Sequence, residues 1–286
     1  MSERTWDKTV TTGAVAAILG VHPNTLRWYE EAGYLPSVPR TPKGYRQFSP
    51  ELVRLAQVVR ESQPLLRIYG PIRRATFSFL QACREDCVAT DAGITRDADR
   101  CTDPYLASRE RLNALTRLLE DEHRLALDAL AALDRFRNGE MTEPNEYRIH
   151  ANDAAHAHSR PGRLRYIGAA AGRTGLSRDR IINWERDGLF RCPRSNAGYR
   201  LFGIEEIDRL LIIRSCRTAG YSITAIRRLL RAIDFDLLSS EESLRTIADT
   251  PAPHETELFP VFPTDTLPVT LEEMIVLTSR LRGLLR

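Results

Sequence analysis

The chain has 286 residues, 42% of them hydrophobic and 28% charged, with a formal net charge of +3. Those values fit a water-soluble protein of two or three domains. There is no apolar run of 18 residues and no secretory-type apolar stretch near Met1, so a cytoplasmic protein without a membrane partner is expected. Five cysteines at irregular positions make no disulfide framework, which fits a reducing compartment. The small net charge hides an uneven distribution. Residues 163–233 hold 15 Arg against 6 acidic residues, residues 4–60 hold 8 basic against 4 acidic, and residues 234–286 hold 4 Arg against 10 acidic. Only Lys8 and Lys43 are lysines. Guanidinium forks bind phosphate and guanine in bidentate geometry, and basic segments of this kind are the footprint of phosphate binding.

In chain order, a first helix begins at Thr11 or Thr12, either of which can cap it. It turns Val15, Ile18 and Leu19 inward and ends at Gly20. Pro23 lies in the first turn of a second helix that runs to Ala32, where Gly33 can take the left-handed conformation that stops it. The stretch from Arg40 to Phe48 suits a β-hairpin with Gly44 at the turn, its aromatic residues inward and its arginines outward. Ser49-Pro50-Glu51 starts another helix. Residues 1–62 form the first domain, and residues 63–103 an irregular helical connector. In the connector Leu65, Leu66, Ile72, Phe77, Phe79 and Leu80 suggest short helices cut by Pro64 and Pro71.

Residues 104–138 read as one helix of roughly 50 Å at 1.5 Å per residue. Asp103 is its cap, and Leu112, Leu115, Leu119, Ala126, Leu130 and Leu133 form a seam at coiled-coil spacing, interrupted at Glu122 or His123. Residues 139–162 read as a linker containing His150, His156 and His158. Residues 163–233 form a second domain. Residues 234–286 form an acidic helical region with an extended Pro-rich segment from Pro251 to Pro268 and a packing pattern at Leu271, Ile275, Leu281 and Leu285.

The second domain repeats the first. Gly44-Tyr45-Arg46-Gln47-Phe48 returns as Gly198-Tyr199-Arg200-Leu201-Phe202. Thr25 to Gly33 returns as Arg180 to Gly188, and Gly175 and Gly188 match the stops at Gly20 and Gly33. The register is 155 residues, falling to 154 before the hairpin. A repeat of this size is a duplicated module and not a solenoid. Two short helices joined by a Gly-containing turn make a helix-turn-helix.

This arrangement resembles the MerR family of winged helix-turn-helix transcription regulators. Thr25-Leu26-Arg27-Trp28-Tyr29-Glu30 followed by Gly44-Tyr45-Arg46-x-Phe48 carries the resemblance in the first copy, and the second copy follows it with Ile182 and Asn183 in place of Arg27 and Trp28. The resemblance implies a mainly α fold: two winged modules with small hairpin wings, a long coiled-coil-type helix after the first and a short helical region after the second. It implies double-stranded promoter DNA as partner. Asn24, Thr25, Arg27, Trp28 and Tyr29 would approach the duplex from the first recognition helix, and Arg178, Arg180, Asn183 and Trp184 from the second. Arg40, Lys43, Tyr45 and Arg46, and likewise Arg194, Tyr199 and Arg200, would contact it from the wings. Tyr29, Trp184, Tyr45 and Tyr199 have core packing as the competing role. The long helix corresponds to a dimerisation helix, with Leu112, Leu115, Leu119, Leu130 and Leu133 at the contact. The sequence leaves open a homodimer or an intramolecular pseudo-dimer. RNA polymerase and a small-molecule effector are admitted as further partners that no motif identifies.

Some members of this family sense metals through cysteines. Cys83, Cys87 and Cys101 are separated by 3 and 13 residues, and no Cys follows the long helix where further thiols are expected. No metal site and no cofactor is expected. There is no catalytic constellation and no phosphate-cradling glycine loop, so an enzyme is not expected. The rival readings are a small-molecule-sequestering protein derived from such a regulator and an excisionase-like architectural protein. Both wings retain their arginines, which opposes the first; the long helix and second reader oppose the other.

Overall fold

The computed structural model describes residues 9–68, 70–92, 103–138, 166–234 and 267–285. The expected linker, its three histidines, Cys101 and the Pro-rich residues 251–266 lie outside the described residues. The described chain is mainly helical, with one two-stranded antiparallel sheet, and divides into two compact units.

The first unit comprises residues up to Glu120 together with Leu271–Arg286. It contains β1 (Val10–Thr11), α1 (Thr12–Leu19), α2 (Pro23–Glu31), β2 (Gln47–Phe48), α3 (Pro50–Glu61), α4 (Gln63–Leu66) and α5 (Pro71–Asp91). It also contains the first part of α6 (Leu106–Arg137). Val10 pairs with Phe48 and Thr11 with Gln47, which ties the start of the first helix to the base of the hairpin. α3 packs on α5, and α1 on α2. Helices break near Pro64 and Pro71, α3 ending at Glu61 and α4 at Leu66, but the prolines themselves open the next helices. Each lies in a first turn, where no N–H is missed, so Pro71 opens a helix of 21 residues. The inward stripe of α1 also differs from expectation. Val15, Ala16 and Leu19 are buried, whereas Ile18 is 38% exposed. At 3.6 residues per turn Ile18 falls about 100° from the centre of that stripe, and burial of Ala16 sets the lean.

A buried polar cluster fixes the start of α6. The Ser108 N–H donates to Asp86 of α5 at 3.1 Å, and its hydroxyl to the same carboxylate. The Tyr105 hydroxyl donates to Glu51 of α3. At the other edge of α6, Arg109 donates to the Leu285 carbonyl at 3.0 Å, and Arg282 to Asn113 at 3.0 Å. These bonds seat the C-terminal helix α11 (Leu267–Leu284) in the first unit.

The second unit runs from Asp121 to Thr270. It combines the latter part of α6 with α7 (Ile167–Thr174), α8 (Arg178–Arg186), α9 (Ile204–Ala219) and α10 (Ile223–Asp234). Arg135 of α6 forks onto Asp208 of α9 at 2.7 and 2.6 Å, and Arg209 lies 5.2 Å from the Phe136 ring centre. Glu122, expected to interrupt the seam, occupies a seam position and is 5% exposed. Its carboxylate binds Arg214 of α9, whose guanidinium also donates to the Gly175 carbonyl at 2.7 Å. A charge survives inside the seam because a partner charge meets it there. Leu112, Leu115, Leu119 and Leu133 are buried within the single chain, and Leu130 is half-buried.

Candidate nucleic-acid interface

Each module builds its reader from the same local devices. Thr11 caps α1 by accepting from the Ala14 N–H, and Gly20 ends it in the left-handed region at φ 63°. Gly175 ends α7 at φ 62°. At the start of the second helix His22 Nδ1 accepts from the Asn24 N–H at 3.2 Å, while Ser177 Oγ accepts from the Arg180 N–H at 3.2 Å. The side chains of Asn24, Arg27 and Trp28 are exposed on α2, and those of Arg178, Arg180 and Asn183 on α8. Thr25 is half-buried. Asn24 Oδ1 accepts from Arg27 at 3.1 Å, so these two polar groups are held together. Arg178 lies over α7, with its guanidinium within 3.1 Å of where a Cβ on Gly168 would stand. Gly13, the equivalent in the first module, has no such neighbour.

Tyr29 and Trp184 are 3% and 8% exposed. They pack the module cores, the competing role. Trp28, 48% exposed, instead heads an aromatic cluster in which Tyr34 lies 5.6 Å from it and stacks on Phe77 of α5.

The two wings are nearly superimposable in their bonding. Arg40 bridges Arg46 and Arg194 bridges Arg200. The Thr41 N–H donates to the Tyr45 carbonyl and the Ser195 N–H to the Tyr199 carbonyl, each at 2.8 Å. Thr41 Oγ1 and Ser195 Oγ accept from the Tyr45 and Tyr199 N–H groups, each at 3.1 Å. Gly44 and Gly198 turn the chain at φ 83° and 80°. Tyr45 and Tyr199 are 69% and 63% exposed, Phe48 and Phe202 fully buried. The expected inward tyrosines are therefore outward, and Arg46 and Arg200 point in. Side chains alternate along a strand, so the residue two before each buried Phe must share its face, and that residue is the arginine.

Those inward arginines are neutralised. Arg46 Nε donates to Glu30 at 2.6 Å and Arg200 Nε to Glu185 at 2.5 Å, each carboxylate coming from the recognition helix. The second oxygen of Glu30 accepts from the Val38 N–H at 2.9 Å, whereas that of Glu185 accepts from Arg194 at 3.2 Å. Burial alone would raise the Glu30 carboxyl. The Val38 N–H and the guanidiniums of Arg46 and Arg40 outweigh it and hold the group below the ordinary glutamate range. Sequence reasoning did not single out Glu30 or Glu185, although they stand 155 residues apart, in the register of the repeated helices. Arg40, Lys43, Arg194 and the tyrosines remain the outward residues of the wings.

Among the described residues Cys83 and Cys87 are buried in α5. Burial pushes the thiols of Cys83 and Cys87 up to about 12, which keeps them protonated and poor ligands. Among the described residues no group of three or more His, Cys, Asp or Glu is placed to hold a metal ion. Among them, too, no helix is long and apolar enough to cross a membrane.

Comparison with known proteins agrees with this geometry. Residues 11–48 match the MerR family regulatory proteins, and residues 166–233 the MerR HTH family regulatory proteins. The mercuric resistance operon regulatory protein of Bacillus cereus is 34% identical over 71 residues, covering 24% of this chain and 54% of that protein. A probable heavy metal-dependent transcriptional regulator of Haemophilus influenzae is 39% identical over 69 residues, again 24% and 54%. The HTH-type transcriptional regulator HmrR of Rhizobium leguminosarum bv. viciae is 33% identical over 84 residues, 29% and 64%. The chain thus spans about half to two thirds of the length of these relatives. No solved structure matches it at a comparable level. Two separate segments of the chain, each with the helix-turn-helix and wing in place, are thus similar to MerR-type regulatory proteins.

Proposed function

We propose that the chain is a transcription regulator that binds promoter DNA with both modules at once, as a single-chain counterpart of a two-module dimer. The observation that carries this reading is the duplicated wing, exposed at its tyrosine and basic residues in both copies. The recognition helices offer unlike polar groups, Asn24 and Arg27 against Arg178, Arg180 and Asn183, so the two half-sites are unlike in sequence. Asparagine pairs with adenine and arginine with guanine through two hydrogen bonds each. Wing cations bind phosphates, which sets register without reading bases. Bending the duplex between half-sites is offset by these contacts.

The seam of α6 supports the single-chain form. Its leucines at 112, 115, 119 and 133 are already covered, and α11 is tied to α6 through Arg109 and Arg282. A sequestering protein would need a ligand site in place of DNA binding, and the regulatory proteins that the chain resembles do not favour it.

The test is footprinting on the DNA upstream of the protein's own gene. Two protected segments are expected, each weakened when its own wing carries Arg46→Ala or Arg200→Ala. Absence of any protection, even in dilute buffer, contradicts the reading.

A further inference from the structure

The carboxylates of Glu30 and Glu185 stand where a DNA-binding surface least tolerates negative charge. Each sits near the end of a recognition helix, 14% exposed at its side chain, against a wing that the proposed function places on phosphates. A carboxylate there with no other role would repel the duplex. The geometry shows another role. In both modules the carboxylate takes the Nε edge of the wing guanidinium, at 2.6 Å in one and 2.5 Å in the other. A guanidinium has five N–H donors in a planar fork, so one held by Nε still presents its terminal nitrogens. Arg46 and Arg200 side chains are 17% and 27% exposed, which leaves that outer edge within reach of solvent.

We propose that Glu30 and Glu185 are wing-positioning residues, each fixing the distance between recognition helix and wing and aiming one arginine's terminal nitrogens at a phosphate. This rests on the DNA-binding reading above. The two clamps are unequal. Glu30 gives its second oxygen to the Val38 backbone and so anchors the strand of the wing as well as Arg46. Glu185 gives its second oxygen to Arg194 and so gathers both wing guanidiniums. The first module therefore leaves the Arg40 cation outside the clamp, donating to the Gly44 carbonyl at 3.3 Å, whereas the second binds both of its arginines. Wing phosphate contacts depend on one clamped cation in the first module and on two in the second.

The sign of one substitution separates positioning from repulsion. Glu30→Gln removes a negative charge from the surface while keeping the size of the side chain. If the carboxylate only repels, binding tightens. If it positions Arg46, binding to the cognate fragment weakens about tenfold, the worth of one charge-assisted hydrogen bond. In an Arg46→Ala background the same substitution no longer weakens binding, because the guanidinium that the charge holds is gone and the Gln oxygen still accepts from the Val38 N–H. Glu185→Gln weakens binding more than Glu30→Gln, since two guanidiniums are released. Arg46→Lys keeps every charge and the Glu30–Val38 bond but lacks the Nε donor; it weakens binding like Glu30→Gln, and it serves if that variant fails to fold. Fluorescence anisotropy at fixed salt reads all five variants, the double one included, and circular dichroism checks that each is folded. Tighter binding by Glu30→Gln, an undiminished effect in the Arg46→Ala background, or wild-type affinity of Arg46→Lys overturns the proposal. Failure of the wild-type chain to bind any fragment is a different result, which overturns the proposed function instead.

Discussion

Replacing Glu122 by Ala removes one half of a buried ion pair and leaves the other in place. The carboxylate is 5% exposed and the Arg214 side chain 14%, so neither is screened by water to any extent. Removing one partner of such a pair costs about 3–5 kcal/mol, because the remaining charge is stranded. Arg214 keeps its bond to the Gly175 carbonyl, and among the described residues its Nε meets no hydrogen-bond partner. We take the lower end, about 3 kcal/mol. For a unit of about 150 residues that lowers the midpoint of thermal unfolding by about 6–12 °C. Differential scanning calorimetry and urea titration measure it, and hydrogen exchange reports the loss in α9 while α1 to α3 keep their protection. Replacing both partners by Leu recovers the loss to within about 1 kcal/mol, since no charge is then buried. A loss below about 0.5 kcal/mol for Glu122→Ala, the range of ordinary surface substitutions, refutes the reasoning.

Gly175→Ala destabilises more than Gly20→Ala. Both residues have positive φ, which costs about 1 kcal/mol for any L side chain, but a Cβ at 175 also meets Arg214 at 3.1 Å while one at 20 meets only Arg60 at 3.9 Å; urea midpoints of the two variants rank them. The depressed Glu30 carboxyl contributes stability that is present above the ordinary glutamate range and is lost as pH falls through its lower folded value. Acid titration of the first unit therefore shows a loss that Glu30→Gln abolishes. Tyr45→Ala and Tyr199→Ala change stability by less than about 0.5 kcal/mol because the rings are exposed, yet each lowers DNA affinity; equal affinity of both variants to wild type contradicts the placing of the wings on DNA.

Much of this architecture is legible in the chain itself, because the devices that build it are local. Gly20 and Gly175 stop the first helices, Pro23 and Ser177 open the second, and Ser49 caps α3 by accepting from the Leu52 N–H at 3.1 Å. The wing's facing was misread where aromatic character was given more weight than strand parity: Phe48 fixes one face, and Tyr45 has the opposite parity. In the connector a proline marks both the break and the first turn of the next helix, so the 21 residues of α5 exceed the short helices expected there. Glu122 and the clamp glutamates escape local reading altogether. Their partners lie 92, 16 and 15 residues away, and nothing in a seam or helix pattern announces a distant arginine. The second reader's Arg214 has its register equivalent in Arg60, which is bonded to the adjacent Glu61 at 2.9 Å instead. Duplication fixes where a residue stands, and the elements packed around it decide what it does.

The number of chains on one operator tests the account most directly. Sedimentation of the protein with a single promoter fragment is expected to give one 32.5 kDa chain per duplex, with both segments of the footprint protected in that complex. Two chains per duplex at the lowest concentration that retards the fragment, with each contributing one module, contradicts it.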